Sequence, residues 1–227
     1  MIRIVSYNLH SGRDLFWRKR LNRMADTLKA IQADVICLQE VQQNSKFGFQ
    51  ADYLSDQLQC EMCFAPTLAL ADGSYGIALL TRLPILRTHV YSLPARREQR
   101  ALLEVSLDWK GTPILVGNTH CSLSAKSRLA QFQALLSWAK RRKNSPLFLA
   151  GDFNSPSASF APLLTDCGMA MGQQEMPTMP AFRRRLDYIF ASGHWEVRNY
   201  SLAYVHWSDH LPVIAELALR ESPVPPG

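Results

Sequence analysis

Several apolar, strand-like runs of this chain end in polar residues that a hydrophobic core would not select. Strand-like residues from Ile2 lead to Asn8, the run Val35–Leu38 to Gln39 and Glu40, and Ile114–Val116 to Asn118, Thr119 and His120. The run Leu147–Leu149 leads to Gly151, Asp152, Phe153 and Asn154, while Ser208, Asp209 and His210 stand directly before Leu211, Pro212 and Val213. Taken singly, Asp and Asn at strand ends are turn formers. Asp187 resists that explanation because it lies within the strand-like run Arg185–Phe190, where an unpaired buried carboxylate is costly. It needs a partner, and a histidine is the simplest one. If the strand ends converge, they assemble Glu40, Asp152, Asp187 and Asp209 with asparagines and histidines, an oxygen-rich set without thiolates. Such a set suits a hard divalent cation, Mg2+ or Mn2+, rather than zinc. An acidic metal pocket on a basic protein points to phosphate-ester chemistry.

The elements that must position these groups follow from periodicity. Strands are predicted over Ile2–Asn8, Asp34–Leu38, Ile77–Leu80, Thr88–Leu93, Ala101–Leu107, Ile114–Thr119, Leu147–Gly151, Leu186–Ala191, Val197–Tyr204 and Val213–Leu219. Helices are predicted over Leu15–Gln32, Asp52–Gln59 and Ser127–Arg142. The nearly all-apolar Asp34–Leu38 run reads as a strand buried on both faces. Lys110, Gly111 and Thr112 read as a hairpin turn, and several other strands also follow one another too closely for crossovers. A purely parallel, doubly wound sheet is thereby excluded, and mixed sheets covered by helices are expected. No Pro/Gly-rich linker divides the chain, so a single α/β (α+β) domain over 1–220 is expected, with a disordered tail at 221–227.

The chain has 227 residues and a formal net charge of +6, from 25 Lys and Arg against 19 Asp and Glu, and is 47% apolar. That composition excludes wholesale disorder and is compatible with an anionic partner without naming it. The 5 cysteines are too few and too scattered for a disulfide framework. Cys60 and Cys63 form a CxxC with no second pair or histidine pair to complete a zinc site, so both are expected to be ordinary thiols. No segment has the length and apolarity of a membrane span. The N-terminus lacks the regions of a signal peptide, so a cytoplasmic monomer without membrane insertion is expected.

The motifs occur in an order that resembles the endonuclease/exonuclease/phosphatase (DNase I-like) superfamily. They are Ser6-Tyr7-Asn8, Asp34 to Val41 with Gln39-Glu40, Gly76 to Ile85, Asn118-Thr119-His120, Gly151-Asp152-Phe153-Asn154, Arg185 to Phe190 and Ser208 to Pro212. The resemblance runs from Arg3 to about Leu219. It implies a four-layer α/β/β/α sandwich, two mixed β-sheets packed face to face and flanked by helices, with the site at one edge. Carried over residue by residue, it implies metal binding by Glu40, with Asn8 beside it and Asp209 assisting. His210 matches the active-site histidine and Asp187 the carboxylate that orients it. Asp152 matches the residue that positions or deprotonates the attacking water, and Asn154 and His120 match groups that bind phosphate oxygens. The resemblance also implies Mg2+ or Mn2+ as cofactor.

The substrate is less sharply written. Arg97 and Arg100 precede a strand in a region where the superfamily often contacts substrate, and Tyr75 and Trp207 lie near motifs, as does Trp17; each aromatic suits base stacking or an apolar wall. Arg13, Arg18, Lys19 and Arg20 follow the first motif, and Arg183, Arg184 and Arg185 precede Asp187; any of these suits a phosphate. His10 and His206 flank motifs, placed between cleft and surface, while His89 and His194 are expected on the surface. The favoured reading is a phosphodiesterase or nuclease acting on DNA or RNA. The alternative is a phosphatase or phosphodiesterase for a small or lipid phosphate, such as an inositol phosphate or sphingomyelin. The intact acidic set argues against a catalytically dead binding module.

Overall fold

Alternation along the strands decides which layer each side chain enters. A computed structural model describes residues 1–70, 72–96 and 98–220. Its elements are β1 (Ile2–Asn8), α1 (Leu21–Ile31), β2 (Val35–Asn44), β3 (Gly48–Phe49), α2 (Gln50–Leu58), β4 (Glu61–Leu70), β5 (Gly73–Thr81), β6 (Ile85–Leu93), β7 (Arg100–Trp109), β8 (Thr112–His120), α3 (Ala125–Arg141), β9 (Leu147–Asp152), β10 (Leu164–Asp166), α4 (Cys167–Ala170), β11 (Asp187–Ser192), β12 (Trp195–Leu202) and β13 (Val213–Leu219). One sheet has the order β12-β13-β1-β2-β5-β4, with β3 on β2; the other has the order β10-β11-β9-β8-β7-β6. Both sheets are mixed, because β1 and β2 are parallel, as are β8 and β9, among antiparallel neighbours. The expected fold class is therefore the observed one.

Three apolar layers hold the sandwich. Ile4, Cys37 and Leu79 from the first sheet meet Leu103, Val116 and Phe148 from the second in the central layer. The alternate residues Val5, Tyr7, Ile36 and Leu38 face outward onto Met24 and Leu28 of α1 and Leu54 of α2. On the opposite outer face, Leu149 and Tyr188 pack with Leu135 and Trp138 of α3. Strand β2 is buried on both faces over Val35–Leu38, as its composition predicts. All 5 cysteines are free thiols. Among the described residues, no helix is long and apolar enough to cross a membrane.

Three departures from the sequence expectations have local causes. The first helix begins at Leu21 rather than Leu15, because the Asp14 carboxylate accepts the backbone N–H groups of Phe16 and Arg18 and folds that segment into a loop. Strand β4 was not predicted: Pro66 interrupts its pattern, and it is tolerated because β4 is an edge strand with a register shift at Pro66. The short β3, β10 and α4 carry too few residues for a periodic signal. Arg97 and the expected tail at 221–227 lie outside the described residues.

Candidate active site

The two parallel strand pairs explain why the polar residues meet. Asn8 ends β1 beside Gln39 within β2, and His120 ends β8 beside Asp152 at the end of β9, so three strand C-termini open at the same edge as the middle of β2. Strand β11 enters antiparallel, and its first residue, Asp187, pairs with Asp152. The loop before β13 is tied to this edge by the Ser208 hydroxyl, which donates to the Asn8 carbonyl at 2.8 Å. A bulge between Leu38 and Val41 breaks the β2–β5 register, and Glu40 there has φ 57°. The bulge lets Gln39 and Glu40 serve different sides. Gln39 turns inward and donates to the Asn118 Oδ1 at 2.8 Å, while the Asn118 amide donates to the Leu38 and Ala78 carbonyls. Glu40 lines the cleft.

That cleft has a volume of about 460 Å3 and is lined by Glu40, Asp152, Asp209, His120, His210 and Asn154, with Tyr75, Arg100, His10 and Trp17 also on its wall. His210 Nδ1 lies 2.7 Å from Asp187 Oδ2, and the Thr178 hydroxyl donates to the same oxygen at 2.6 Å. His210 Nε2 is 3.8 Å from Asp152 Oδ2, and His120 Nε2 is 3.6 Å from it. The Asn8 amide bridges the acids, donating to Asp152 Oδ2 at 3.0 Å and Glu40 Oε1 at 3.2 Å. The Asn154 backbone N–H donates to Asp152 Oδ1 at 2.8 Å. Asp152, Asp187 and His210 each offer a possible ligand atom within 4.8 Å of the others.

Burial and charge set the protonation states. Burial disfavours a charged His210, but the charge and hydrogen bond of Asp187, with Asp152 and Asp209 nearby, outweigh it and raise the imidazolium to about 10. Asp152 is pushed up to about 7 by burial and then by the Asp187 charge. Burial likewise raises Glu40, and the charge of Asp209 adds to it. His120 is held well below its usual range by burial and by the Arg100 charge. Arg100 NH1 lies 3.2 Å from His120 Nδ1. Because a guanidinium only donates, Nδ1 accepts, and the neutral ring carries its proton on Nε2, toward Asp152.

Glu40, Asp152, Asp187, Asp209, His210, His120, Asn8 and Asn154 are thus brought together. Arg100 and Tyr75 line the same cleft, with Arg100 also engaged by Glu98. Trp207 is not brought there. Its indole donates to Thr27 Oγ1 at 3.1 Å and sits beneath Arg20 and Arg23, because it packs against the α1 layer. Arg185 is also structural: buried, it holds Asp166 through two hydrogen bonds and lies 4.2 Å over the Tyr188 ring. Arg184 is exposed and lines the cleft. One residue escaped the sequence reading of the site: Thr178, which orients Asp187, has no motif around it. His10, left between cleft and surface by its position after Asn8, lines the cleft with Nδ1 3.7 Å from Asp209.

The chain resembles the uncharacterized protein YbhP of Escherichia coli K12, with 26% identity over 243 residues and 96% of each chain covered. Among solved structures, the human nocturnin catalytic domain with bound sulfate superposes with a TM-score of 0.78 at 24% identity, covering 96% of this chain and 93% of that one. D. rerio TDP2 complexed with a single-strand DNA product superposes with a TM-score of 0.79 at 18% identity, covering 96% of this chain and 98% of that one. With residues 5–210 matched, the chain belongs to the Endonuclease/Exonuclease/phosphatase family.

Proposed function

We propose that the chain is a divalent-metal-dependent hydrolase of phosphate esters, a phosphodiesterase or nuclease acting on DNA or RNA. The observation that carries this reading is one cleft in which the His210–Asp187 pair and the raised Asp152 stand beside Glu40 and Asp209. The donor set fits a hard cation: burial and the Asp209 charge make an ionised Glu40 costly, and a cation held by these carboxylates would relieve that cost. Asp187 Oδ2 already receives Thr178 and His210, so we assign Asp187 to proton handling and Glu40, Asp209 and the adjacent Asn8 to Mg2+ or Mn2+. When bound, the cation supplies positive charge at the phosphate oxygens.

The protein's own groups supply the rest. Asp152, held by the Asn154 backbone and the Asn8 amide, accepts a proton from the attacking water. Protonated His210, fixed by Asp187, presents Nε2–H to a phosphate oxygen. Neutral His120, with Nε2 3.6 Å from Asp152 Oδ2, and the Asn154 amide on the same cleft wall add donors. The formal charge of +6 supports an anionic polymer as substrate, as does the similar D. rerio TDP2, complexed with a single-strand DNA product. The test is a panel of single- and double-stranded DNA and RNA, inositol phosphates and sphingomyelin, assayed with Mg2+, Mn2+ or EDTA beside Glu40→Ala and His210→Ala. Cleavage of nucleic acid that EDTA and both substitutions abolish is expected. Turnover unaffected by EDTA and both variants would overturn the metal assignment, and turnover confined to a small or lipid phosphate would overturn the nuclease reading.

A further inference from the structure

The loop between β1 and α1 touches the cleft and two further cavities. Its backbone is fixed by a bridge between Arg13 and Lys19 and by Asp14, which is buried and accepts from Phe16, Arg18 and Arg20. The single acid of the loop is thus turned inward, while Phe16 and Trp17 remain 73% and 62% exposed at its tip. Trp17 has φ 63°, lies 4.9 Å from the His10 ring and lines the catalytic cleft. Behind it, sharing Ser11 with the cleft, is a cavity of about 430 Å3 lined by Arg13, Lys19, Arg20 and Arg23 with Asn22 and Gln50. Arg20 is neutralised by Asp14 at 2.9 Å. Arg13, Lys19 and Arg23 face the cavity without a carboxylate among its described lining residues, and Arg23 lies 4.0 Å from the exposed Asp26 outside that lining.

We infer that this loop and basic cavity grip a single-stranded nucleic acid beyond the scissile phosphate: Trp17 stacks on a base next to the cleft, and Arg13, Lys19 and Arg23 take the backbone phosphates that follow. The inference rests on the phosphodiesterase reading and names its substrate as a strand several nucleotides long. Stacking needs an exposed, rigidly held π-face, which the Asp14-braced turn supplies. A duplex would bury its base faces and leave Trp17 nothing to stack on. A small phosphate ester, occupying the cleft alone, would leave the basic cavity unused.

The experiment is fluorescence anisotropy of a labelled single-stranded decanucleotide in EDTA, as a function of salt, for wild type, Trp17→Ala, Trp17→Phe, Lys19→Ala/Arg23→Ala and a distant control, Lys143→Ala beyond the end of α3. Trp17→Ala is expected to weaken binding roughly tenfold, Trp17→Phe to restore most of it, and Lys19→Ala/Arg23→Ala to lower the log–log salt slope by about 1.4. The control is expected to bind as wild type does. Binding needs no turnover, so these results together with no cleavage of any phosphodiester would leave the grip standing and remove the nuclease reading. Cleavage of nucleic acid with Mg2+, but unaltered affinity and slope in the Trp17→Ala and Lys19→Ala/Arg23→Ala proteins, would overturn the grip. Wild-type binding to phosphatidylcholine–phosphatidylglycerol vesicles that Trp17→Ala abolishes, with no oligonucleotide bound, would overturn it in favour of a membrane contact.

Discussion

His210 and Asp187 form a buried pair, Nδ1 to Oδ2 at 2.7 Å, and the Thr178 hydroxyl holds the same carboxylate oxygen from the opposite segment. The second Asp187 oxygen has no hydrogen-bond partner among the described residues. The aspartate therefore spends its hydrogen-bonding capacity on fixing one imidazole, which keeps Nε2 aimed at the cleft.

Asp187→Asn is expected to return the His210 imidazolium from about 10 toward its ordinary range near 6.5, and to lower kcat about a hundredfold or more with KM little changed. Because the folded-state value is raised, the pair stabilises the protein fully below about pH 6.5, and that stability is lost as pH rises toward 10. NMR titration of His210 in EDTA-treated protein checks the first outcome. A histidine that still titrates near 10 in Asp187→Asn would sink the pairing as its cause.

Asp152 shifts stability in the same direction, in a lower pH window. Its carboxyl is raised to about 7 by burial and the Asp187 charge, so between about pH 4 and pH 7 the metal-free folded state binds a proton that the unfolded chain has lost. Metal-free protein is expected to lose stability across this window as pH rises, and Asp152→Asn to flatten the decline. Urea denaturation in EDTA at stepped pH measures it. Parallel wild-type and Asp152→Asn curves would show that the proton resides elsewhere.

The arginine run before β11 divides into two roles. Arg185 is buried between Asp166 and the Tyr188 ring, so Arg185→Ala leaves a partly buried carboxylate unpaired and is expected to cost about 3–5 kcal/mol of stability. Arg184 is exposed on the cleft wall, so Arg184→Ala is expected to leave the melting temperature within a few degrees of wild type and to raise KM for nucleic acid. Thermal denaturation beside steady-state kinetics separates the two; equal destabilisation by both would refute the division.

The fold class was legible in the sequence, and so were most of the polar residues that meet at the cleft. Asp187 declared itself because a carboxylate within an apolar strand demands a partner, and His210 answers it. Asn8, His120 and Asp152 stand at strand ends that a core would fill otherwise, while Glu40, expected at a strand end, sits at a bulge within the longer β2. What remained hidden depends on contacts between segments far apart in the chain. Thr178 reaches Asp187 from an irregular loop, Trp207 turns away to meet Thr27, and Pro66 disguises an edge strand whose only neighbour is β5. Arg184 and Arg185 are identical letters, separated only by which side of the backbone is buried.

Gly151 tests how tightly the cleft depends on the β8–β9 register. It has φ 148°, and an added Cβ would lie 2.0 Å from the Thr119 carbonyl oxygen, one step from the His120–Asp152 pair. Backbone cannot swing aside as a flexible side chain can, so Gly151→Ala must separate the strands where both of these cleft side chains originate. The expected loss is roughly 2–4 kcal/mol, accompanied by a fall in kcat in the protein that remains folded. Gly172 supplies the comparison. Its φ of 68° carries the conformational strain, but an added Cβ there meets nothing within 4 Å, so Gly172→Ala is expected to cost only about 1 kcal/mol and to leave kcat alone. Urea titrations and single-turnover assays on both variants decide the matter. Equal losses would mean that the positive φ, rather than the approach of Thr119, fixes glycine at position 151, and that the strand register tolerates more at this edge than the geometry implies.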